Sequence, residues 1–290
     1  VSITYLDAGG REFEQPADLV ILAAYVFGNV HLMLHSKIGK PFDFKRNTGV
    51  VGRSYAYQSM GGVAAMFPKG TYLNPFMGAG ALGTWIDDFN SDNPDFAKLG
   101  FIGGGGISTG NNGAAPINRH PTPPGSPRWG AGWKKAVVET YQRFGAVGNQ
   151  GSVMSYRQNY LDLDPTYTDS FGRPMLRLTF DWQENEFRQM EYARGICTSI
   201  AKEMGAEQVL SRRDRGRYSI VPYQTTHNTG GTVFGDDPNT SALNKHLQSW
   251  DVSNVFVVGS SAFPQNAGRN PTGPVGALAY RLADTLKDQY

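Results

Sequence analysis

Apolar positions recur along this chain with two periods, and a turn residue stands at most points where the period changes. Val1-Ser2-Ile3-Thr4-Tyr5 alternates like a strand, and Asp7-Ala8-Gly9-Gly10 follows it as a hairpin turn. Ala17 to Ala24 is an apolar run, predicted as a buried strand that opens onto a helix. From 54 to 106, short apolar runs such as Ala64-Ala65-Met66-Phe67 are broken by glycines. Gly103 to Gly106 leads to Asn111-Asn112-Gly113 and the Pro-rich stretch Pro116 to Pro127, so it reads as a loop or strand edge and not as a phosphate cradle. Trp133, Val137, Tyr141 and Phe144 fall at helical spacing. Phe187, Tyr192, Ile196, Ile200 and Met204 mark the buried face of a second helix over 184–204, although Gly195 weakens it. Pro174 to Asp181 alternates as a strand. Tyr218 to Tyr223 is another, running straight into His227.

The last sixty-odd positions organise the rest. Val255 to Val258 is an unbroken apolar run between Asn254 and Gly259-Ser260-Ser261, the pattern of a short strand buried on both faces. Asn270 suits an N-cap, and Pro271 suits the first helical position, where a missing N–H costs nothing. Val275, Leu278, Ala279, Leu282, Ala283 and Leu286 then predict a terminal helix. Its N-terminus gathers free N–H groups and a dipole end, a place for negative charge. His227 and Asn270 bracket this unit.

Composition narrows the class. The 290 residues can form one large or two ordinary domains, and 36 glycines with 17 prolines call for many turns. A net charge of +2 without a basic run argues against nucleic acid or an anionic membrane as partner. Cys197, the one cysteine, excludes an internal disulfide and a Cys-rich metal site, and leaves compartment open. With no apolar run of membrane-spanning length and nothing like a signal peptide at Val1, membrane association is expected only through a partner. Asp87, Asp88, Asp92 and Asp95 lack the central Gly and closing Glu of a calcium loop. His31, His35, His120 and His246 read as surface or packing residues without metal-site spacing, so no metal is expected.

His227 to Gly230, Val257 to Pro264 and Asn270, in this order, resemble the C-terminal part of the GMC (glucose–methanol–choline) oxidoreductases. The resemblance is closest to the large flavoprotein subunit of bacterial gluconate 2-dehydrogenase-type sugar and polyol dehydrogenases. That family closes with a His-x-x-Gly motif, a Val-x-Gly-x-Ser-Ala-Phe-Pro-like strand and turn, and a His or Asn before the last helix. Asn29 to Pro41 resembles a second signature, with Lys37 where Gly is usual and His31 where Arg is common.

The implied fold is mixed, α+β and α/β: part of a Rossmann-like FAD domain from 1–47 and 226–290, and a substrate domain of mainly antiparallel sheet with flanking helices from 48–225. The family's opening unit, a strand followed by Gly-x-Gly-x-x-Gly, a helix and an acidic residue about twenty positions later, does not stand at the start of this chain. The expectation is therefore a truncated copy, and whether it holds FAD by itself stays open.

The resemblance implies FAD-dependent oxidation of an alcohol group in a sugar, sugar acid or polyol. Electrons would pass to a quinone or cytochrome c, with a small subunit as partner and a periplasmic location peripheral to the membrane. His227 would be the base, since an imidazole titrates near working pH. Asn270 would donate its amide to the substrate oxygen, serve as a plain N-cap, or do both. Gly259, Ser260, Ala262, Asn270, Pro271 and Thr272 would meet the cofactor, and Gln224 and Gln265 the substrate hydroxyls. Three alternatives stay open: an oxygen-using oxidase, a catalytically incomplete fragment, and a carbohydrate-binding module built on Trp85, Trp129, Tyr160 and Trp182.

Overall fold

The structure, a computed structural model, describes residues 2–73, 83–90, 93–111, 122–211, 218 and 226–289. β1 (Ser2–Leu6) and β2 (Glu12–Pro16) form the expected antiparallel hairpin, closed by the Asp7 carboxylate accepting from the Gly9 and Arg11 N–H groups. β3 (Val20–Leu22) is shorter than the apolar run suggests, and Ile21 is 46% exposed, so the strand is covered on one face only. α1 (Tyr25–His35) follows and buries Val26, Asn29, Val30, Met33 and Leu34.

Beyond α1 the Ile38 N–H reaches the Met33 carbonyl and the Lys37 N–H the Leu34 carbonyl, the paired bonds of a Schellman ending. Lys37 holds φ 55 there, a left-handed conformation that favours glycine. Lys37→Gly is therefore expected to raise unfolding stability by about 1 kcal/mol. Urea denaturation reads this as a higher midpoint at unchanged slope, and an unchanged or lower midpoint would contradict it.

The middle of the chain builds β4 (Ala56–Tyr57), β5 (Ser59–Met66), β6 (Trp85–Ile86), α2 (Phe96–Leu99), β7 (Gly105–Asn111), α3 (Gly130–Thr140), β8 (Phe144–Gly151), β9 (Tyr160–Thr168), β10 (Pro174–Thr179), α4 (Glu184–Glu203) and β11 (Gln208–Ser211). Five of these strands form one antiparallel sheet in the order β11-β5-β8-β7-β6. Two sequence expectations change here. Phe144 does not extend the helix but opens β8 after a 3-10 turn at Tyr141–Arg143. Gly105 and Gly106 are not a loop or an edge but the start of β7, paired with Gly151 and Gln150 of β8 and donating their N–H groups to the Phe89 and Gly268 carbonyls, and a Cβ on Gly106 would stand 2.0 Å from the Trp85 ring.

The face α4 buries also differs from expectation. The large residues Phe187, Tyr192, Ile196 and Ile200 are half-buried and Met204 is exposed, while Glu186, Gln189, Met190, Ala193, Cys197 and Ala201 form the buried stripe. Small side chains let the helix lie close on Val63, Ala65, Ile107 and Val147. Gln189 fastens it there, its Nε2 donating to the Gly103, Gly104 and Ser152 carbonyls and its Oε1 accepting from Ser59 Oγ. Burial pushes the Cys197 thiol up to about 12, which keeps it protonated and inert.

The C-terminal segment returns to both earlier parts. β12 (Asn228–Thr229) pairs antiparallel with β4, and β13 (Val255–Val257) pairs in parallel with β3, so residues some 235 positions apart share one ladder. α5 (Thr272–Gln289) packs through Leu278, Leu282 and Leu286 onto the core of Val26, Val30, Met33, Tyr55, Tyr57, Leu161, Phe256 and Val257. Tyr218 joins the aromatic cluster of Tyr57, Phe180 and Trp182, while the remainder of the predicted strand at 219–223 lies outside the described residues.

Candidate active site

His227 immediately precedes β12, and its backbone is fixed before its side chain is considered. Its carbonyl accepts from the Gln58 N–H at 3.3 Å and from Asn266 Nδ2 at 2.5 Å. Its neighbour Asn228, fully buried, bonds to the hydroxyls of Tyr25 and Tyr55, and its carbonyl accepts from Ser260 Oγ at 2.7 Å. The β4–β12 pair, α1 and the turn after β13 thus all converge on this strand.

The imidazole is half-buried, and burial pushes its pKa below the usual 6.5. Its Nδ1 lies 2.5 Å from Gln58 Oε1. Gln58 is fully buried, and its Nε2 donates to the carbonyls of Ala267 at 3.0 Å and Arg269 at 3.1 Å. Two carbonyl acceptors require the NH2 end of the carboxamide, so the oxygen must face the imidazole. An oxygen there accepts, which puts the hydrogen on Nδ1 and leaves Nε2 with its lone pair. One carboxamide therefore sets the imidazole in its proton-accepting tautomer and ties it to the loop that carries Asn270.

That loop is held closely. Asn266 exchanges backbone bonds with Val153, and Gly268 sits against β7, where a Cβ would stand 2.9 Å from both the Gly104 carbonyl oxygen and the Gly105 Cα. Arg269 stacks its guanidinium 4.9 Å from the Trp85 ring centre and pairs with Asp87 at 2.8 Å, while Trp85 Nε1 donates to the same carboxylate at 2.7 Å. The loop is thus pinned to the sheet on one side and to His227 on the other.

The remaining predicted residues fall in several places. Asn270 is exposed and directly follows Arg269, so His227 and Asn270 lie on segments joined through Gln58. The terminal helix starts one residue later than predicted: Thr272 is its first residue, and the Pro271 carbonyl, not Asn270, accepts the first N–H, from Val275. Gly259 and Ser260 form the turn at the carboxyl end of β13, with Ser260 turned inward by its bond to Asn228. Ala262 is fully buried in the core, so its side chain faces away from any crevice. Gln265 is exposed, and Gln224 lies outside the described residues. Trp129 is 84% exposed, Trp182 is buried, Tyr160 stacks on Phe44 and Trp85 lies under Arg269, so these four aromatics form no common platform.

Comparison with known proteins decides the family. Residues 155–279 match the GMC oxidoreductase family. Over 290 residues the chain is 49% identical to the gluconate 2-dehydrogenase flavoprotein of Pantoea cypripedii, covering 99% of this chain and 47% of that protein. The chain carries a GMC oxidoreductase C-terminal domain. It is also 27% identical over 291 residues to the 2-methyl-1,2-propanediol dehydrogenase of Mycolicibacterium austroafricanum, covering 99% of this chain and 51% of the other. Among solved structures, Aspergillus oryzae formate oxidase shares the fold with a TM-score of 0.65 at 15% identity, covering 100% of this chain and 57% of that one. The chain spans about half the length of the curated relatives it matches.

GMC oxidoreductases are FAD-binding flavoproteins, and this chain leaves open space beside its backbone at a glycine that follows a parallel strand. Gly259, at φ 105, takes a backbone conformation that disfavours side chains, and a Cβ there would meet nothing nearer than Asn29 Nδ2 at 4.0 Å. This glycine keeps space open, unlike Gly230, where a Cβ would strike the Ser54 carbonyl oxygen at 2.0 Å. The open space lies beyond the carboxyl ends of the parallel pair β3–β13, where open α/β sheets bind their ligands. Asn29 spans the two strand ends, accepting from the Ala24 N–H and donating to the Val258 carbonyl. Near His227, Asn266 Oδ1 is buried without a hydrogen-bond partner. No helix among the described residues is long and apolar enough to cross a membrane.

Proposed function

We propose that this GMC chain forms the half of a flavoprotein dehydrogenase that carries the catalytic base, oxidising an alcohol group of a sugar, sugar acid or polyol. The observation that carries this reading is the Gln58 carboxamide, which holds Nδ1 of His227 as a donor and so sets the tautomer in which Nε2 is the basic nitrogen. FAD, when bound, supplies the acceptor for the hydride leaving the substrate carbon. His227 Nε2 removes the hydroxyl proton, and Asn270 donates its amide to the substrate oxygen as that oxygen gains negative charge. Gly259 and Ser260 would line the cofactor, and the N-terminus of α5 at Pro271 and Thr272 would face its negative charge. Gln265 and Gln224 hold substrate hydroxyls. Residues 1–47 and 226–290 serve as flavin-domain segments and 48–225 as the substrate domain. The 49% identity to a protein named as a gluconate 2-dehydrogenase flavoprotein supports a dehydrogenase over an oxidase. We propose in addition a small subunit and a cytochrome c or quinone acceptor, in a periplasmic assembly peripheral to the membrane, as the family resemblance implies.

A visible spectrum of the purified protein with added FAD tests the reading: flavin bands that bleach with gluconate or a polyol are expected, and an unbleached spectrum with every such substrate would refute it. The pH dependence has a definite sign. The base must be neutral and its pKa is depressed, so the rate of bleaching is expected to stay level down to the usual histidine value of 6.5 and to fall below it.

A further inference from the structure

We propose that His31, His35 and the Pro174 carbonyl form a binding site for a six-coordinate first-row divalent metal ion, clamping α1 to the β9–β10 hairpin. The two histidines stand four apart on α1, which puts them on one helix face, and their rings lie 4.3 Å apart. Their Nε2 atoms are 2.7 Å from each other, and the Pro174 oxygen is 2.9 Å from His31 Nε2 and 3.0 Å from His35 Nε2. A β-bulge between Pro174 and Leu176 interrupts the strand pairing at this carbonyl, and bulges commonly re-aim a strand's groups.

No arrangement of protons satisfies this triangle. Each neutral imidazole carries at most one hydrogen on Nε2. If both carry it, the 2.7 Å contact sets two donors head to head. If one carries it, the bare nitrogen turns its lone pair toward the carbonyl oxygen. With both hydrogens on Nδ1, three lone pairs converge, which a cation resolves. The spacing also selects a coordination geometry. Ligands about 2.0–2.1 Å from an ion and at right angles to each other stand about 2.9 Å apart, whereas tetrahedral ligands stand about 3.3 Å apart. Edges of 2.7, 2.9 and 3.0 Å match one face of an octahedron, leaving three positions for water. Two imidazoles and one carbonyl suit nickel(II) or its neighbours in the first row. The carboxylate of Asp169, in the hairpin turn, lies within electrostatic range of His31 and adds negative charge nearby. Among the described residues no three His, Cys, Asp or Glu side chains converge on a metal, and here a backbone oxygen supplies the third donor. Sequence spacing could not show this, because the carbonyl comes from a residue 139 positions beyond His35.

The test is calorimetric titration of nickel chloride into the full chain, purified without immobilised metal and freed of metal by a chelator. One ion per chain is expected, with affinity lowered about tenfold or more in both His31→Gln and His35→Gln and unchanged in His246→Gln. Hydrogen exchange at Met175 and Leu176 is expected to slow on nickel addition, because the ion fixes the Pro174 carbonyl. The site is refuted if nickel binds equally to the wild type and to both variants, or only at millimolar concentrations. Binding that leaves exchange in the hairpin unchanged would refute the clamp as well, since the carbonyl would then take no part.

Discussion

Replacing His227 with Ala is expected to slow flavin reduction by about 10²–10⁴-fold, the usual contribution of a positioned general base. The side chain can be removed without dismantling the site. Its backbone carbonyl accepts from the Gln58 N–H and Asn266 Nδ2, and those two bonds survive an alanine. β12 keeps its pairing with β4, and Asn228 keeps its two tyrosine partners. The loss should therefore appear in the bleaching rate under anaerobic rapid mixing, with the flavin spectrum before substrate unchanged. Rates equal to wild type across the pH range would remove His227 from the chemistry.

Much of this site was legible in the linear sequence because its parts are local. A His-x-x-Gly motif, a buried Val run ended by Gly-Ser-Ser and an Asn-Pro before an amphipathic helix each state their own conformation. What the sequence hid depends on distant partners. Gln58 is one polar residue in Tyr57-Gln58-Ser59, and nothing around it points to an imidazole 169 positions later. The link exists because β4 and β12 pair, and those strands are two residues long, too short to leave a periodic pattern. The buried face of α4 was misread for a related reason. Hydrophobicity favoured Phe187, Ile196 and Ile200, but the facing strands are glycine-rich and sit close, so Ala193, Cys197 and Ala201 fit where larger groups cannot. Asn270 looked like a helix cap, whereas Pro271 offers its carbonyl there, which leaves the Asn270 side chain out of that duty.

Gln58 supplies the second large effect. Gln58→Leu keeps the volume but removes the acceptor for Nδ1 and both donors to the Ala267 and Arg269 carbonyls. The imidazole can then rotate or change tautomer, and the loop bearing Asn270 loses a tether, so flavin reduction is expected to fall by about 10²-fold, as small misplacements of reacting groups do. A lower rate alone could reflect a damaged fold, so Gln58→Glu is the decisive partner. A carboxylate beside Nδ1 favours the imidazolium and raises the pKa of His227. The base must be neutral to act, so the acid limb of the rate profile should move to higher pH than in wild type, where burial holds it below 6.5. A merely structural defect would scale the rate without displacing that limb. If Gln58→Glu leaves the limb where the wild type has it, Gln58 does not govern the proton on His227, and the assignment of Nε2 as the basic nitrogen loses its physical basis.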